Sequence, residues 1–167
     1  MAWILTIQIG LPKFNLKHKL NSKLNIAISS YRSAPFGGGQ GIFIYELSKA
    51  LQARGHNVDI ISGPPYPNLE PEINLIKSPG LDLFSTFVFK ERLSMFINKK
   101  NRTLDDWYEF FSALFGGFPE MKTFGNRLKK LVRNSSYDIL IDNQSISFGI
   151  LEIEKSLPVL EIIHHPI

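Results

Sequence analysis

A run of glycines is the sequence feature that most constrains the fold. Residues 35–41 are Pro-Phe-Gly-Gly-Gly-Gln-Gly, between an apolar, β-branched segment at 24–30 and a segment with apolar residues at helical spacing. The first segment predicts a buried strand, and the second predicts an amphipathic helix whose inner face carries Ile44, Leu47 and Leu51. The sequence therefore predicts a strand, a glycine turn and a helix.

This turn has the properties of a phosphate site. Glycine allows the backbone to approach a ligand closely, and the start of a helix offers unpaired N–H groups and the positive end of the helix dipole. The alternative, that the glycines only form a tight turn, stays open. The run departs from the dinucleotide fingerprint G-x-G-x-x-G because Ile44 stands at the third glycine position. Ser62, at the end of the next predicted strand, replaces the acid that would hold the ribose of NAD.

The rest of the chain alternates between strand and helix patterns. Strands are predicted at 24–30, 57–62, 73–76, 138–142 and 159–163, and helices at 41–53, 81–98, 104–115, 119–131 and 145–155, with N-caps at Thr103 and Ser145. Such alternation predicts a parallel sheet with right-handed crossovers. Because the strands are apolar on both faces, we expect helices on both sides of the sheet. The predicted fold class is α/β and Rossmann-like.

An aromatic-rich middle segment is predicted to pack into the core. The inner face of the helix after Thr103 would carry six apolar residues, Leu104, Trp107, Tyr108, Phe111, Leu114 and Phe115. The segment is longer than one crossover helix requires. A second interpretation is therefore that some of these aromatic residues line a cleft or contact a lipid-linked acceptor.

Composition and charge narrow the function classes. Four of the 19 lysines and arginines lie in residues 1–23, which contain no acid, so the remaining 15 basic residues balance 15 acidic ones. A neutral body argues against a nucleic-acid partner. We interpret the one basic cluster as a solvated helix face formed by Arg127, Lys129, Lys130 and Arg133. The absence of cysteine excludes disulfides and thiolate chemistry and is compatible with the cytoplasm.

The chain length suits one domain. We assign residues 23–167 to that domain and residues 1–22 to an N-terminal tail that we expect to be disordered. The apolar part of the tail, residues 2–12, is shorter than the roughly 20 residues that span a bilayer. A short segment that touches a membrane is the alternative interpretation.

Polar residues follow two of the predicted strands. Asn143 and Gln144 come directly after the fourth strand, and His164 and His165 end the fifth. The carboxyl ends of parallel strands lie along one edge of a sheet, where ligands bind. We therefore expect these side chains and the glycine turn to converge on one ligand.

Five segments in this order resemble the N-terminal, acceptor-side domain of a GT-B glycosyltransferase of family four. They are residues 35–41, 45–51 (Tyr-Glu-Leu-Ser-Lys-Ala-Leu), 54–58 (Arg-Gly-His-Asn-Val), 137–140 (Tyr-Asp-Ile-Leu) and 158–164. The resemblance covers residues 24–167. It implies an enzyme that transfers a sugar from a nucleotide-sugar to a glycan, lipid or small-molecule acceptor, with retained configuration and without a metal or other cofactor.

The resemblance also implies roles for individual residues. The backbone of Gly38, Gly39, Gln40 and Gly41 would bind the donor diphosphate and stabilise charge on the leaving phosphate. His164 would act at the reacting centre. Three further residues, Asn143, Gln144 and His165, would line the acceptor side.

One departure from the family pattern bears on activity. The family's donor-binding domain carries two glutamates eight positions apart, and the sequence has no such pair. We therefore expect this chain to lack the C-terminal donor-binding domain, as a fragment or as one subunit of a split enzyme, and to be inactive alone. The expected location is the cytoplasm, with contact to the inner face of the membrane as an extension. Alternatives are a stand-alone flavodoxin-like module that binds a phosphate ligand, or a non-catalytic partner.

Overall fold

The computed structural model describes residues 22–35 and 39–164. The strands are β1 (Asn25–Ser30), β2 (Asn57–Ser62), β3 (Asn74–Lys77), β4 (Ile139–Asn143) and β5 (Val159–Ile162). The α-helices are α1 (Gly39–Ala53), α2 (Phe89–Asn98), α3 (Leu104–Leu114), α4 (Glu120–Val132) and α5 (Phe148–Ile153), and a short 3₁₀ turn covers Leu83–Ser85. The tail at residues 1–21, Gly38 and His165 lie outside the described residues, so the predictions for them stay predictions.

The five strands form one parallel sheet in the order β3-β2-β1-β4-β5. This confirms the predicted α/β, Rossmann-like class. The chain builds outward from β1 to β3 and then returns to place β4 on the other side of β1. The switch point of the topology therefore lies between the carboxyl ends of β1 and β4, where open α/β sheets bind ligands.

Each face of the sheet is covered by helices. On one face α1 contributes Ile44 to a cluster of Ile26, Ile28, Val58, Ile60, Ile73 and Ile141, with Leu47 and Leu51 packed against it. On the other face α4 and α5 pack through Phe124, Leu128, Val132, Ile150 and Ile153 onto Ala27, Ile61 and Leu140. The predicted inner face of α1 and the predicted helices on both faces are confirmed.

The C-terminus of α1 follows its sequence signals. Gly55 has a φ of 88°, the left-handed conformation that glycine adopts most easily, and its N–H donates to the carbonyl of Gln52 at 2.8 Å. His56 then turns its Nδ1 toward the backbone N–H of Leu24 at 3.3 Å. His56 is thus a capping residue at the amino edge of the sheet.

The predicted helix at 81–98 is wrong over its first half. α2 begins only at Phe89, because Asp82 has a φ of 53° and Thr86 is extended. The side chain of Arg92 donates to the carbonyls of Leu83 and Thr86, at 3.0 and 2.8 Å. These bonds satisfy backbone groups that a helix would otherwise have paired.

The predicted inner face of α3 is also wrong. The buried residues are Asp106, Glu109 and Phe110. The six apolar residues expected inside are instead 40–90% exposed, namely Leu104, Trp107, Tyr108, Phe111, Leu114 and Phe115. Polar residues occupy the interior because partners satisfy them there: Asp106 binds Lys99 at 2.6 Å and caps α3 with Thr103, as the sequence predicted for the cap.

The contacts of Glu109 show that the interpretation of the basic cluster as a solvated helix face is wrong for Arg127. The fully buried carboxylate of Glu109 accepts hydrogen bonds from Arg127 at 2.9 Å, from Thr123 at 2.5 Å and from the N–H of Leu81 at 2.9 Å. Arg127 is therefore an internal ion-pair residue and not part of a solvated face. Lys129 pairs with Glu152 at the surface.

The N-cap of α5 is Ser147, and the predicted cap at Ser145 is wrong. The side chain of Ser147 accepts a hydrogen bond from the N–H of Gly149 at 3.2 Å. Ser145 is buried, and its N–H donates to Asp142 at 2.8 Å. The loop after β4 is therefore two residues longer than expected, and α5 ends at Ile153. No helix within the described residues is long and apolar enough to cross a bilayer.

Candidate functional site

His164 and the residues after β4 meet at the carboxyl edge of the sheet. Nε2 of His164 lies 2.6 Å from Oδ1 of Asn143, and the backbone N–H of His164 donates to Oε1 of Gln144 at 3.1 Å. A carbonyl oxygen can only accept, so Nε2 carries the hydrogen in this arrangement. Gln144 has a φ of 52°, which turns the chain at the end of β4 and brings its side chain to β5. The predicted trio thus comes together, with two bonds that fix the position of His164.

Asn143 links the ends of three strands. It is fully buried, and its Nδ2 donates to Oγ of Ser30 at 3.3 Å while Oδ1 faces His164. Oγ of Ser30 donates in turn to the carbonyl of Arg32 at 2.8 Å. The ends of β1, β4 and β5 are therefore joined by side-chain hydrogen bonds. This arrangement places Asn143 behind His164, away from solvent.

The first turns of α1 form the other wall. The rings of Phe43 and His164 pack edge to face with centroids 4.9 Å apart. The histidine predicted from the end of β5 therefore contacts the helix that follows the glycine turn. We call the carboxyl ends of β1 and β4, together with His164 and the first turns of α1, the switch-point region.

The glycines at the start of α1 differ in how much space surrounds them. A Cβ on Gly41 would lie 2.2 Å from the carbonyl oxygen of Ala34, so packing alone requires glycine there. A Cβ on Gly39 would meet no described atom within 4 Å, and Gly39 is exposed. Gln40 is half-buried in the first turn of α1, which contains no acidic residue. The tight-turn interpretation therefore fits Gly41, and the described residues leave Gly39 accessible to a ligand.

A cavity of about 300 Å³ opens beside this turn. It is lined by Pro35, Gly41, Ile42, Tyr45, Glu46 and Asn68. The hydroxyl of Tyr45 donates to Glu70 at 2.5 Å, and Lys49 pairs with the same carboxylate at 3.6 Å. Tyr45 and Lys49 of α1 are thus engaged with Glu70, whereas Glu46, which also lines the cavity, is exposed.

Asp142 is a buried acid that sequence reasoning passed over. Ser29 donates to Oδ1 at 2.5 Å and the N–H of Ser145 donates to Oδ2 at 2.8 Å. Burial raises the pKa of the Asp142 carboxyl, and these hydrogen bonds oppose the shift. Asp142 therefore holds the loop that carries Gln144. The available signal was an acid at the end of an otherwise apolar strand.

A second group of residues at the carboxyl edge of the sheet was also not identified from the sequence. On the α4 side, a cavity of about 230 Å³ is lined by Tyr31, Arg32, Phe118, Glu120 and Met121. We call this cavity the Glu120 pocket. Burial raises the pKa of Glu120 to about 7, against the opposing effect of the Arg32 charge. A glutamate at the start of a helix is ordinary in sequence because the helix dipole favours it there, so no signal marked this one.

Two larger cavities lie elsewhere. One of about 590 Å³ is apolar and runs along α3, lined by Trp107, Tyr108, Phe111, Ser112, Phe115 and Gly117. One of about 360 Å³ lies at the amino ends of the strands and includes Asn25, Asn57, Asp59, Glu72 and Tyr137. In the latter, polar side chains bond to one another, as Asn57 does to Asn25 and Tyr137 to Asp59. The carboxyl edge remains the better candidate for chemistry.

Comparisons with known proteins bear on the family. The family model Glycosyltransferase Family 4 matches residues 37–167. Over 150 residues the chain is 37% identical to the MMP alpha-(1->4)-mannosyltransferase of Mycolicibacterium hassiacum, with 86% of this chain and 35% of the relative covered. The chain thus spans about a third of the length of this curated relative.

Solved structures give distant likenesses. The C-terminal domain of a hydrogenase from Pyrococcus furiosus is 12% identical with a TM-score of 0.44, covering 95% of this chain and 98% of that domain. The enzyme WbmG of Bordetella bronchiseptica, solved with NAD and UDP, is 12% identical with a TM-score of 0.41, covering 84% and 52%. Neither likeness carries an argument about function.

The family match begins in the glycine turn and includes every described strand and helix from α1 onward. The curated relative supports the same assignment at 37% identity. These two findings show that the chain belongs to glycosyltransferase family 4, a family of sugar transferases.

Proposed function

We propose that this chain is the acceptor-side half of a retaining GT-B glycosyltransferase that moves a sugar from a nucleotide-sugar to an acceptor hydroxyl. The observation that carries the proposal is the contact of His164 with α1 at the switch point, where the ring centroids of His164 and Phe43 are 4.9 Å apart. An imidazole and a helix N-terminus side by side suit the two ends of the reaction, the sugar and the departing diphosphate.

The start of α1 would hold the donor diphosphate. The N–H groups at Gly39, Gln40 and Gly41 belong to the first turn of a helix and have no carbonyl one turn earlier to bind. No acid in that turn competes with a phosphate for the positive end of the dipole. As the bond between sugar and phosphate breaks, negative charge grows on the diphosphate, and these donors stabilise it. Gly38, from the family resemblance, belongs to the same proposal.

His164 would hydrogen-bond at the donor sugar. Its ring is oriented by Asn143 and its backbone by Gln144, so the imidazole is held in place before a ligand arrives. Preorganised polar groups are effective because they need no reorganisation in the transition state. Asn143 would act through His164, while Gln144 and His165 would face the acceptor.

The relative suggests the sugar and the extent of the whole enzyme. Since its name describes a mannosyltransferase, we propose mannose as the transferred sugar and a nucleotide-mannose as the donor. Since the chain spans 35% of that relative, we propose that it acts with a C-terminal donor-binding domain or a complementary subunit. No metal takes part in the proposed mechanism.

The proposal includes a location. We place the protein in the cytoplasm, with peripheral contact to the inner face of the membrane through the exposed apolar side of α3 when the acceptor is lipid-linked. The aromatic rings of Trp107, Phe111 and Phe115 line the apolar cavity there, and the ammonium of Lys122 lies over the ring of Tyr108 at 4.7 Å. Flotation of the protein with anionic vesicles tests this part separately from the chemistry.

A chimera tests the proposed reaction. In it, this chain replaces the matching 35% of the M. hassiacum enzyme. We expect transfer from GDP-mannose with the α configuration retained in the product, as read from the anomeric proton signal, and no transfer by the 167-residue chain alone.

Two histidine variants of the chimera identify the reacting side. His164→Ala should lower kcat by about 100-fold, the scale of losing one transition-state hydrogen bond. His56→Ala, which removes the capping histidine at the opposite edge, should change kcat by no more than about threefold. A folded chimera without transfer would refute the proposal, as would full activity of His164→Ala. If the chain alone nevertheless bound pyrophosphate, the binding-module alternative would replace the enzyme.

A further inference from the structure

Glu120 is buried with part of its hydrogen-bonding capacity unused. Its side chain opens α4 and is 8% exposed. The carboxyl group accepts a hydrogen bond from the backbone of Leu83, but within the described residues its Oε1 is buried and has no hydrogen-bond partner. Buried polar atoms are rarely left unpaired, and each exception calls for an explanation.

Asp82 repeats this pattern beside it. Its Oδ1 is also buried, and no described group lies within hydrogen-bond distance of it. The guanidinium of Arg32 is the cation nearby, with Nη2 at 3.9 Å from that oxygen. Asp82 is not among the residues that line the Glu120 pocket, so of these two oxygens only that of Glu120 belongs to a pocket-lining side chain.

The Glu120 pocket provides the space for such a ligand. Its volume of about 230 Å³ equals roughly seven or eight water molecules at about 30 Å³ each. This is less than a drug-sized ligand needs and is suited to a single sugar ring. The rings of Tyr31 and Phe118 and the thioether of Met121 form the apolar part of the lining, against which the C–H face of a sugar can pack.

The charges around the pocket favour a neutral ligand. The acidic groups that act on Glu120 are Asp82 and Glu109, and the basic group is Arg32. Glu109 is already paired with Arg127 at 2.9 Å. One arginine against Asp82 and Glu120 leaves no excess of positive charge to attract a phosphate or a carboxylate. A hydroxyl group can hydrogen-bond to Glu120 without adding charge.

The pocket lies on the same sheet edge as His164. Tyr31 and Arg32 directly follow β1, and the carbonyl of Arg32 accepts from Ser30, which is bonded to Asn143 and through it to His164. The pocket and His164 are thus both linked to the carboxyl end of β1.

We propose that the Glu120 pocket is an acceptor subsite that binds one neutral sugar ring through hydrogen bonds between its hydroxyls and Glu120. This inference rests on the proposed function, since it assigns the acceptor. It names a carbohydrate as the acceptor class and Glu120 as a specificity-determining residue.

Binding to the 167-residue chain tests the subsite without catalysis. The probe is methyl α-D-mannopyranoside, titrated into labelled protein and followed by amide chemical shifts. We expect saturable shifts confined to the pocket, at Tyr31, Arg32, Phe118, Glu120 and Met121. Mannose 6-phosphate should bind at least tenfold more weakly because of its charge. Shifts centred elsewhere, or phosphate binding as tight as that of the neutral sugar, would overturn the inference.

A variant connects binding to the Glu120 carboxyl group. Glu120→Leu, which removes both oxygens and leaves an apolar side chain, should weaken binding at least tenfold. Glu72→Gln is the matched control, because it changes a carboxylate in the polar cavity at the opposite edge, and it should bind as the parent does. The amide spectrum of each variant reports whether it is folded. Unchanged binding by folded Glu120→Leu would refute the subsite.

Kinetics of the chimera separate this inference from the proposed function. Glu120→Leu should raise KM for the sugar acceptor at least fivefold and leave KM for GDP-mannose unchanged. An active chimera with an unchanged acceptor KM would remove the subsite and keep the function. An inactive chimera together with pocket-centred sugar binding would remove the proposed reaction and keep the site.

Discussion

At the scale of single residues, the sequence locates strand ends but not the bonds made there. His164, Asn143 and Gln144 could be expected at one edge because each ends or follows a parallel strand. The bond from Asn143 to Ser30 joins residues 113 positions apart, and no local pattern specifies it. Glu120 could not be recognised at all, because the groups around it come from the residues after β1, the segment before α2 and the turn after α3.

The raised pKa of Glu120 has a consequence for stability. Burial raises it to about 7 from an ordinary value of 4.5, so between these values the folded chain keeps a proton that the unfolded chain has released. The contribution of this shift to the free energy of unfolding is therefore complete below about pH 4.5. It is lost as the pH rises through about 7. Asp82 and Glu109 favour the neutral form, and Arg32 opposes it.

We therefore predict that Glu120→Gln flattens the dependence of stability on pH. Between about pH 5 and pH 8 the parent should lose on the order of 2 kcal/mol more free energy of unfolding than the variant, at about 1.4 kcal/mol per pKa unit. Urea denaturation at the two pH values measures this difference. Glu72→Gln, on an exposed residue, should keep the parental profile, and identical profiles for all three proteins would contradict the burial of Glu120.

At the scale of elements, the helical periodicity of α3 correctly predicts a helix but does not predict which of its faces is buried. The pattern predicted the helix and its cap at Thr103, and both are present. The buried face carries Asp106 and Glu109, whose partners Lys99 and Arg127 lie on other segments of the chain. A rule that places the apolar residues of one helix in the interior does not take account of ion-pair partners on other segments. The ion pairs decide the orientation, and the aromatic residues face outward.

Two neighbouring phenylalanines test this orientation. Phe110 is 5% exposed and stacks on Phe96 at a centroid distance of 4.5 Å, whereas Phe111 is 49% exposed. Phe110→Ala should lower the free energy of unfolding by about 3–5 kcal/mol, and Phe111→Ala by about 1 kcal/mol. Chemical denaturation of the two variants gives the comparison. The orientation described here is wrong if Phe111→Ala proves the more destabilising of the two.

At the scale of the whole molecule, the five strands and their parallel arrangement could be predicted, and their order could not. Each apolar run, such as Ile139 to Ile141, identifies a strand because both of its faces are buried. The pairing of β1 with β4 and the return of the chain across the sheet depend on contacts between distant segments. The irregular stretch before α2 depends on side-chain bonds from Arg92, which compete with helix formation.

The strand order predicts how protection from hydrogen exchange varies across the molecule. β1 has a neighbour on each side, β2 and β4, while β3 and β5 form the edges of the described sheet. Amides of a central strand whose side chains are fully buried, as Ala27 and Ile28 are, exchange only when the whole sheet opens. Edge strands open locally, at a smaller free-energy cost.

We expect the amides of β1 to exchange at least about 100-fold more slowly than those of β5, because a difference of about 2.7 kcal/mol in opening free energy has that effect. Native-state exchange on the 167-residue chain, read by NMR, measures both strands in one sample. β3 is the internal control, since it is the other edge and should exchange as β5 does. If β5 were as protected as β1 while β3 was not, the outer edge of β5 would be covered in solution. The order β3-β2-β1-β4-β5 would then describe only part of a wider sheet.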